Sequence, residues 1–185
     1  MSRLPKYIAL CGWPKSGKDE VAKIFATLLN ARVIDDGAPL REAAPLLFGY
    51  DEELPYSQSG KSVEVDTPNS QITVRQTLGD LGKFLEDTYG IEFMSWRAIK
   101  ETTRHPNPHF IFPSVRRSSA SAFHKAGGIV VEIRRPGFDS SSHDFDWYDP
   151  TLVTHVIDND GDLEDLRLKM LSFILRPSDF KVTQQ

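Results

Sequence analysis

Apolar residues along this chain fall into two alternating patterns. Short runs rich in apolar residues, Tyr7-Ile8-Ala9-Leu10-Cys11, His109-Phe110-Ile111-Phe112, Ile129-Val130-Val131-Glu132-Ile133 and Val153 to Ile157, read as strands, several of them apolar on both faces. Arg32-Val33-Ile34-Asp35 reads as one more short strand, ending in the carboxylates Asp35 and Asp36. Between the runs, apolar positions recur every three or four residues, as an amphipathic helix requires. Val21, Ile24, Phe25, Leu28 and Leu29 form one such set; Val74, Leu78, Leu81 and Leu85 form another, in a helix running to about Tyr89. Leu163, Leu166, Met170, Phe173 and Ile174 mark the last helix, and the tail from Arg176 is expected to fray.

Other helices are less regular. Pro39 opens one carrying Leu40, Ala43, Ala44, Leu47 and Phe48 on a single face, with Pro45 expected to kink or shorten it. Residues from about Ile91 to Thr103 form a second, with Phe93, Trp96 and Ile99 inward. Ser118 to Ala126 forms a third, closed by Gly127-Gly128. Two stretches, 49–70 and 136–150, are polar or rich in Gly, Pro, Ser and Asp without periodicity, and read as mobile lids or substrate-binding segments. Strands alternating with helices, several of the strands apolar throughout, predict an α/β fold. It would have three layers, with a mostly parallel five-stranded sheet and helices on both faces.

Bulk properties bound this picture. A chain of 185 residues fits a single domain, 1–185, with 176–185 as its tail. The net charge of −4 argues against gripping duplex nucleic acid through a broad basic surface, while leaving a local basic groove open. A lone cysteine, Cys11, excludes an intramolecular disulfide and reads as a core residue of a reducing compartment. No apolar stretch approaches membrane-spanning length and no signal-type segment opens the chain, so a cytoplasmic location and no membrane partner are expected.

The chemistry centres on Gly12-Trp13-Pro14-Lys15-Ser16-Gly17-Lys18-Asp19, a G-x-x-x-x-G-K pattern between the first strand and the first helix. Glycines allow successive backbone N–H groups to curl around an anion, and the helix N-terminus adds its dipole. Lys18 would reach the β- and γ-phosphates, Lys15 and Ser16 belong to the same loop, and Trp13 packs or faces the acceptor. Asp19 stands where a Ser or Thr hydroxyl usually touches Mg²⁺, and its carboxylate is an equally hard oxygen ligand.

Parallel sheets hold ligands beyond the carboxyl ends of their strands. There the chain places Asp35 and Asp36, Arg116 and Arg117, Arg134 and Arg135, and the segment Asp158 to Gly161. Arg41 and Arg75 lie on helices nearby in sequence. Guanidinium groups suit the clustered charges of phosphorylated ligands and a transferring phosphoryl group. His143 and Asp146 alone make a weak metal pair, and a polar lid is the simpler reading. Trp147 and Tyr148 could stack on a base or anchor their loop on the core.

These segments occur in an order that resembles bacteriophage-type deoxynucleoside monophosphate kinases of the P-loop superfamily. They are Gly12 to Asp19, Ala38-Pro39-Leu40-Arg41, Arg75-Gln76-Thr77-Leu78, Val115-Arg116, Ala126-Gly127-Gly128, Arg135-Pro136-Gly137 and Asp158-Asn159-Asp160-Gly161. The resemblance spans about residues 7 to 175. It implies a P-loop kinase fold that moves the γ-phosphate of ATP, with Mg²⁺, onto a deoxynucleoside 5′-monophosphate. Gly12, Lys15, Ser16, Gly17, Lys18, Asp19, Asn159 and Gly161 would hold ATP, with Asn159 to Gly161 bordering the adenine. Asp35, Arg41, Arg75 and Trp96 would meet the acceptor. Lys18, Arg116 and Arg135 would serve the transfer, and Asp19 the metal. The resemblance is also compatible with a homodimer.

The chain departs from the family pattern in three places. Ser114 replaces an Asp at the end of its strand, Gly79 replaces a Gln, and His143-Asp144-Phe145-Asp146 replaces a His-x-Ser-Glu element. The loss at Ser114 shifts the expected metal contact to Asp19 or Asp35. Two further readings stay open: a kinase for a hydroxyl of a nucleoside or of a modified base in DNA, with Asp35 or Asp36 as base, and a noncatalytic nucleotide-binding protein.

Overall fold

The computed structural model describes residues 4–141 and 146–182. Two compact units make up the chain: Met1–Asp36 together with Ser95–Gln185, and the intervening Gly37–Met94.

The first unit contains a five-stranded sheet of β1 (Tyr7–Cys11), β2 (Arg32–Val33), β5 (Phe110–Phe112), β6 (Ile129–Arg134) and β7 (His155–Asp158). The order across it is β2-β5-β1-β6-β7, and every pairing is parallel. β1 is thus central, flanked on both sides, which explains why Ile8 to Cys11 are all buried. Side chains alternate across the sheet. Ile8 and Leu10 join Ile111, Val131, Ile133 and Ile157 in one core cluster, covered by Val21, Ile24 and Phe25 of α1 (Lys18–Leu29) and Leu166, Met170 and Phe173 of α7 (Leu163–Leu175). Ala9 and Cys11 point the other way. They join Phe110, Phe112 and Val130 beneath Ala98 of α5 (Phe93–Glu101) and Phe123 of α6 (Ser121–Lys125). The three predicted layers are therefore present.

Edge contacts between Phe25 and Phe173, with ring centroids 5.8 Å apart, tie α1 to α7. Truncating either ring to Ala would cost about 3–5 kcal/mol. α7 starts with a capping box in which Asp162 accepts from Glu164 N and Asp165 N, while Asp165 accepts from Asp162 N.

The tail does not fray at Arg176. Residues Pro177–Phe180 form a 3-10 turn, Phe180 stacks edge-on against Phe173, and Val182 N donates to Thr154 O along the otherwise open edge of β7. Unpaired backbone at a sheet edge is a strong acceptor for such a segment. Trp96 is also not inward: its side chain is 52% exposed, with Lys100 Nζ 5.0 Å above its ring. An ammonium over an indole gives that face a partner without burial.

In the second unit, α2 (Ala38–Phe48) runs through Pro45 without ending there. Its Leu47 is exposed rather than on a buried face, and Ala44 and Pro45 are the buried positions. α4 (Val74–Tyr89) is the predicted helix, capped by the Thr73 hydroxyl accepting from Gln76 N. Residues 49–70 are not without structure. A 3-10 turn (Leu54–Tyr56), α3 (Gln58–Lys61) and β3 (Glu64–Asp66), paired antiparallel with β4 (Gln71–Thr73), occupy this stretch. Such short elements leave no periodicity long enough to read.

Candidate functional site

The phosphate loop is built from the end of β1 and the start of α1. Gly12 takes φ 133 and Gly17 φ 100, both in the region that excludes most side chains. Space forbids them too. A Cβ on Gly12 would fall 2.4 Å from Ile133 O, and one on Gly17 2.4 Å from Asn159 Nδ2. Lys15 also takes a left-handed φ of 66 and is exposed at the loop tip. Ser16 N closes the turn on Trp13 O at 3.2 Å.

Several groups in this loop lack protein partners. Ser16 Oγ is fully buried with no hydrogen-bond partner among the described residues. No side chain caps the N-terminus of α1, where Gly17 is the N-cap. Buried polar groups are paired in almost every protein, so an orphan hydroxyl beside an open helix N-terminus could take an anion. Lys18 Nζ, which would meet that anion, donates to Gly12 O at 2.8 Å and Trp13 O at 2.9 Å. Burial, and then the charge of Arg116, pull its pKa down to about 8. The residues present fit a polyphosphate.

Charges from the neighbouring strand ends surround the loop. Arg116 Nη1 meets Asp146 Oδ1 at 3.3 Å; the arginine side chain is 45% exposed, the aspartate 3%. Asp146 also accepts from Ser141 Oγ at 2.8 Å, and its charge acts on Lys18. The backbone joins the same two segments, since Arg117 N donates to Trp147 O at 2.6 Å and Asp149 N to Arg117 O at 3.2 Å. Asp146 therefore brings a buried carboxylate within electrostatic reach of Lys18. Its partner in the sequence pair, His143, lies outside the described residues.

Below the loop, Glu132 is buried in β6, in register with Cys11. It accepts from Arg134 Nε at 2.9 Å, Arg134 Nη2 at 2.8 Å and Tyr148 Oη at 2.6 Å. The Tyr148 ring in turn meets Trp13 edge-on at 5.6 Å. Tyr148 is thus an anchor, buried and bonded, whereas Trp147 is 44% exposed. Desolvation and the Glu132 carboxylate push the Tyr148 phenol well above its ordinary range. Glu132 escapes sequence reasoning, although a lone acid inside the run Ile129–Ile133 is a detectable signal.

The other predicted residues divide as follows. Asn159 is buried and reaches the loop, with Nδ2 donating to Ser16 O at 2.9 Å. Gly161 faces Asp165, where a Cβ would lie 2.3 Å from Oδ2. Asp19 is exposed in the first turn of α1. Arg135 holds its guanidinium 5.6 Å from the Phe138 ring. Asp35 is half-buried just past β2 and Asp36 is buried. Arg41 and Arg75 belong to the second unit, where Arg41 lies 5.8 Å from the Tyr56 ring and Arg75 Nη2 donates to Gln58 Oε1 at 2.6 Å. Among the described residues, no group of three or more His, Cys, Asp or Glu is arranged to hold a metal ion. Mg²⁺ on a nucleotide needs only one or two protein oxygens beside phosphate and water, a demand that a single carboxylate such as Asp19 could meet.

The fold that carries this loop is that of the P-loop kinases. TT1252 from Thermus thermophilus is similar in structure, with a TM-score of 0.51 and 19% identity over 95% of this chain and 98% of that one. Dephospho-CoA kinase from Campylobacter jejuni is similar with a TM-score of 0.50 and 13% identity over 95% of this chain and 98% of that one. No protein-family model matches the chain, and no curated protein matches it in sequence. No helix among the described residues is long and apolar enough to cross a membrane.

Proposed function

We propose that this protein is an ATP-dependent kinase that transfers the γ-phosphate of ATP to a deoxynucleoside 5′-monophosphate, giving the diphosphate and ADP. One observation carries the reading: the Ser16 hydroxyl, buried and without a partner among the described residues, in a loop that ends at an open helix N-terminus and includes Lys18, on which the charge of Arg116 acts. The backbone N–H groups and Lys18 bind the donor phosphates. Arg116 neutralises charge on the group in flight, and its exposed half leaves it able to meet an incoming phosphate. Mg²⁺, when bound, would supply further charge neutralisation, and Asp19 is the oxygen ligand this chain would offer it. An acceptor phosphate oxygen attacks the γ-phosphorus while the bond to the β-phosphate oxygen breaks.

The carboxylates support a phosphate acceptor. Asp146 and Glu132, both buried on this side of the sheet, are occupied as acceptors by Arg116, Ser141, Arg134 and Tyr148. Neither is offered as a general base, and an acceptor phosphate, already ionised at neutral pH, needs none. The arginines Arg41 and Arg75 support the same reading through the family resemblance.

A hydroxyl acceptor is the second reading, favoured by Asp36, which is buried just past the carboxyl end of β2 beside Asp35. Coupled turnover assays with each deoxynucleoside monophosphate, ATP and Mg²⁺ separate the two when repeated on Asp36→Asn. Activity within a few-fold of wild type supports the phosphate acceptor. Near-complete loss with ATP binding intact moves the assignment to a hydroxyl kinase. No transfer to any acceptor, alongside tight ATP binding, leaves a noncatalytic nucleotide-binding protein.

A further inference from the structure

We infer that Asn159 is a positioning residue for the phosphate loop, acting on the donor phosphates through the backbone of Ser16 and Gly17 and not through the base. The inference rests on the phosphate-binding reading of the loop. Asn159 lies just past β7, 143 residues from the carbonyl it contacts. Its own backbone is fixed, since Asn159 N donates to Arg134 O at 2.6 Å at the end of β6. Lys169 of α7 secures the residues on either side, donating to Asp158 O at 2.8 Å and pairing with Asp160. From this rigid mount the buried amide reaches Ser16 O at 2.9 Å.

The peptide joining Ser16 to Gly17 is trans, so its C=O and N–H point in opposite directions. Holding Ser16 O toward Asn159 turns the Gly17 N–H away from it. That N–H donates to no protein acceptor among the described residues, and neither does the neighbouring Ser16 hydroxyl. Both are donors kept in place for an anion. The absence of a side chain at Gly17 belongs to the same device, because a Cβ there would overlap the Asn159 amide. Without Asn159 the Ser16–Gly17 peptide can rotate, and one phosphate-facing donor is lost from the preformed set.

Binding of inorganic tripolyphosphate, ATP and adenosine to wild type, Asn159→Asp and Asn159→Ala, followed by calorimetry, tests this. Asp keeps the shape but turns a donor into an acceptor facing Ser16 O; Ala removes the donor. The expected result is a weakening of about tenfold or more for tripolyphosphate and for ATP alike, larger for Asp. Adenosine binding should not change. In ¹⁵N-edited spectra, the Gly17 amide shift induced by tripolyphosphate in wild type should shrink in both variants, a local readout that general loosening would not single out. Wild-type affinity for tripolyphosphate in a folded variant, with ATP alone weakened, overturns the inference and returns Asn159 to the adenine. Should Asp unfold the protein, Ala decides. Should both unfold, Asn159 is a fold determinant and the inference fails. Failure of wild type to bind either phosphate ligand overturns the phosphate-loop reading itself, and the inference with it.

Discussion

The phosphate loop and the segment around Asp146 to Tyr148 flank the same end of the sheet, but they are finished in opposite ways. In the loop, among the described residues, Ser16 Oγ has no partner and the first turn of α1 has no side-chain cap, while Lys18 rests on its own loop carbonyls. Across from it every buried carboxylate is engaged, Asp146 by Ser141 and Arg116, Glu132 by Arg134 and Tyr148. A region whose polar groups satisfy one another is a frame. One whose buried donors wait is a binding site. On the proposed reading, that difference puts the chemistry at the loop and the support in its neighbour.

Lys18→Ala is the sharpest way to break that division. Turnover should fall about a thousandfold, since the cation aimed at the transferred phosphate is lost, while the folded fraction in urea titrations changes little. Retained turnover would mean that the loop is not where the chemistry happens. Gly12→Ala comes next, because the new methyl would meet Ile133 O in a backbone conformation hostile to side chains. A stability loss of about 3 kcal/mol or more is expected in urea unfolding.

The third effect is one of pH. Lys18 titrates near 8 in the free protein, below its ordinary value. Phosphate binding selects the charged form, so ATP affinity should be constant below about pH 8 and then fall with rising pH, approaching tenfold per unit until the titration is overtaken by that of the complex. Lys18→Arg should flatten this profile. The linked effect on folding has the opposite sense. A lysine whose pKa is lowered on folding carries its burial penalty while protonated, so that penalty is relieved as pH rises from about 8 toward 10.5. An affinity profile flat through pH 9 would remove Lys18 from the phosphate contacts.

Tyr148→Phe gives the smallest change and tests the frame. It deletes one of three hydrogen bonds to Glu132 and keeps the ring against Trp13. Stability should drop by about 1 kcal/mol with ATP affinity unchanged. A loss of affinity without a loss of stability would move Tyr148 from frame to site.

The loop was readable because its parts are contiguous: a buried strand, two glycines, a lysine and an amphipathic helix within a few turns of chain. The apolar strands and the helices α1, α4 and α7 were readable for the same reason, each carrying its own period. What escaped depends on contacts between distant residues. Nothing in the spacing of Glu132 and Tyr148 announces a hydrogen bond, and Asp146 restores a carboxylate near the loop from outside the strand where one was expected. The tail looked unstructured because its order comes from the free edge of β7 and the ring of Phe173, not from its own sequence. The spacing of Trp96 places it inward, but a lysine one turn along covers its face and lets it stay exposed.

Cys11 ends β1 one residue ahead of the loop, with burial and then Glu132 pushing its thiol far above the ordinary range. It is also the only cysteine in the sequence. A thiol that neither ionises nor reaches solvent is silent toward maleimides and disulfide reagents while the fold holds. The wild-type chain is therefore already a clean background for single-site labelling. A cysteine introduced at exposed Lys15 or Trp147 would be the one reactive handle, and a dye there could report nucleotide arrival without any prior removal of the native residue.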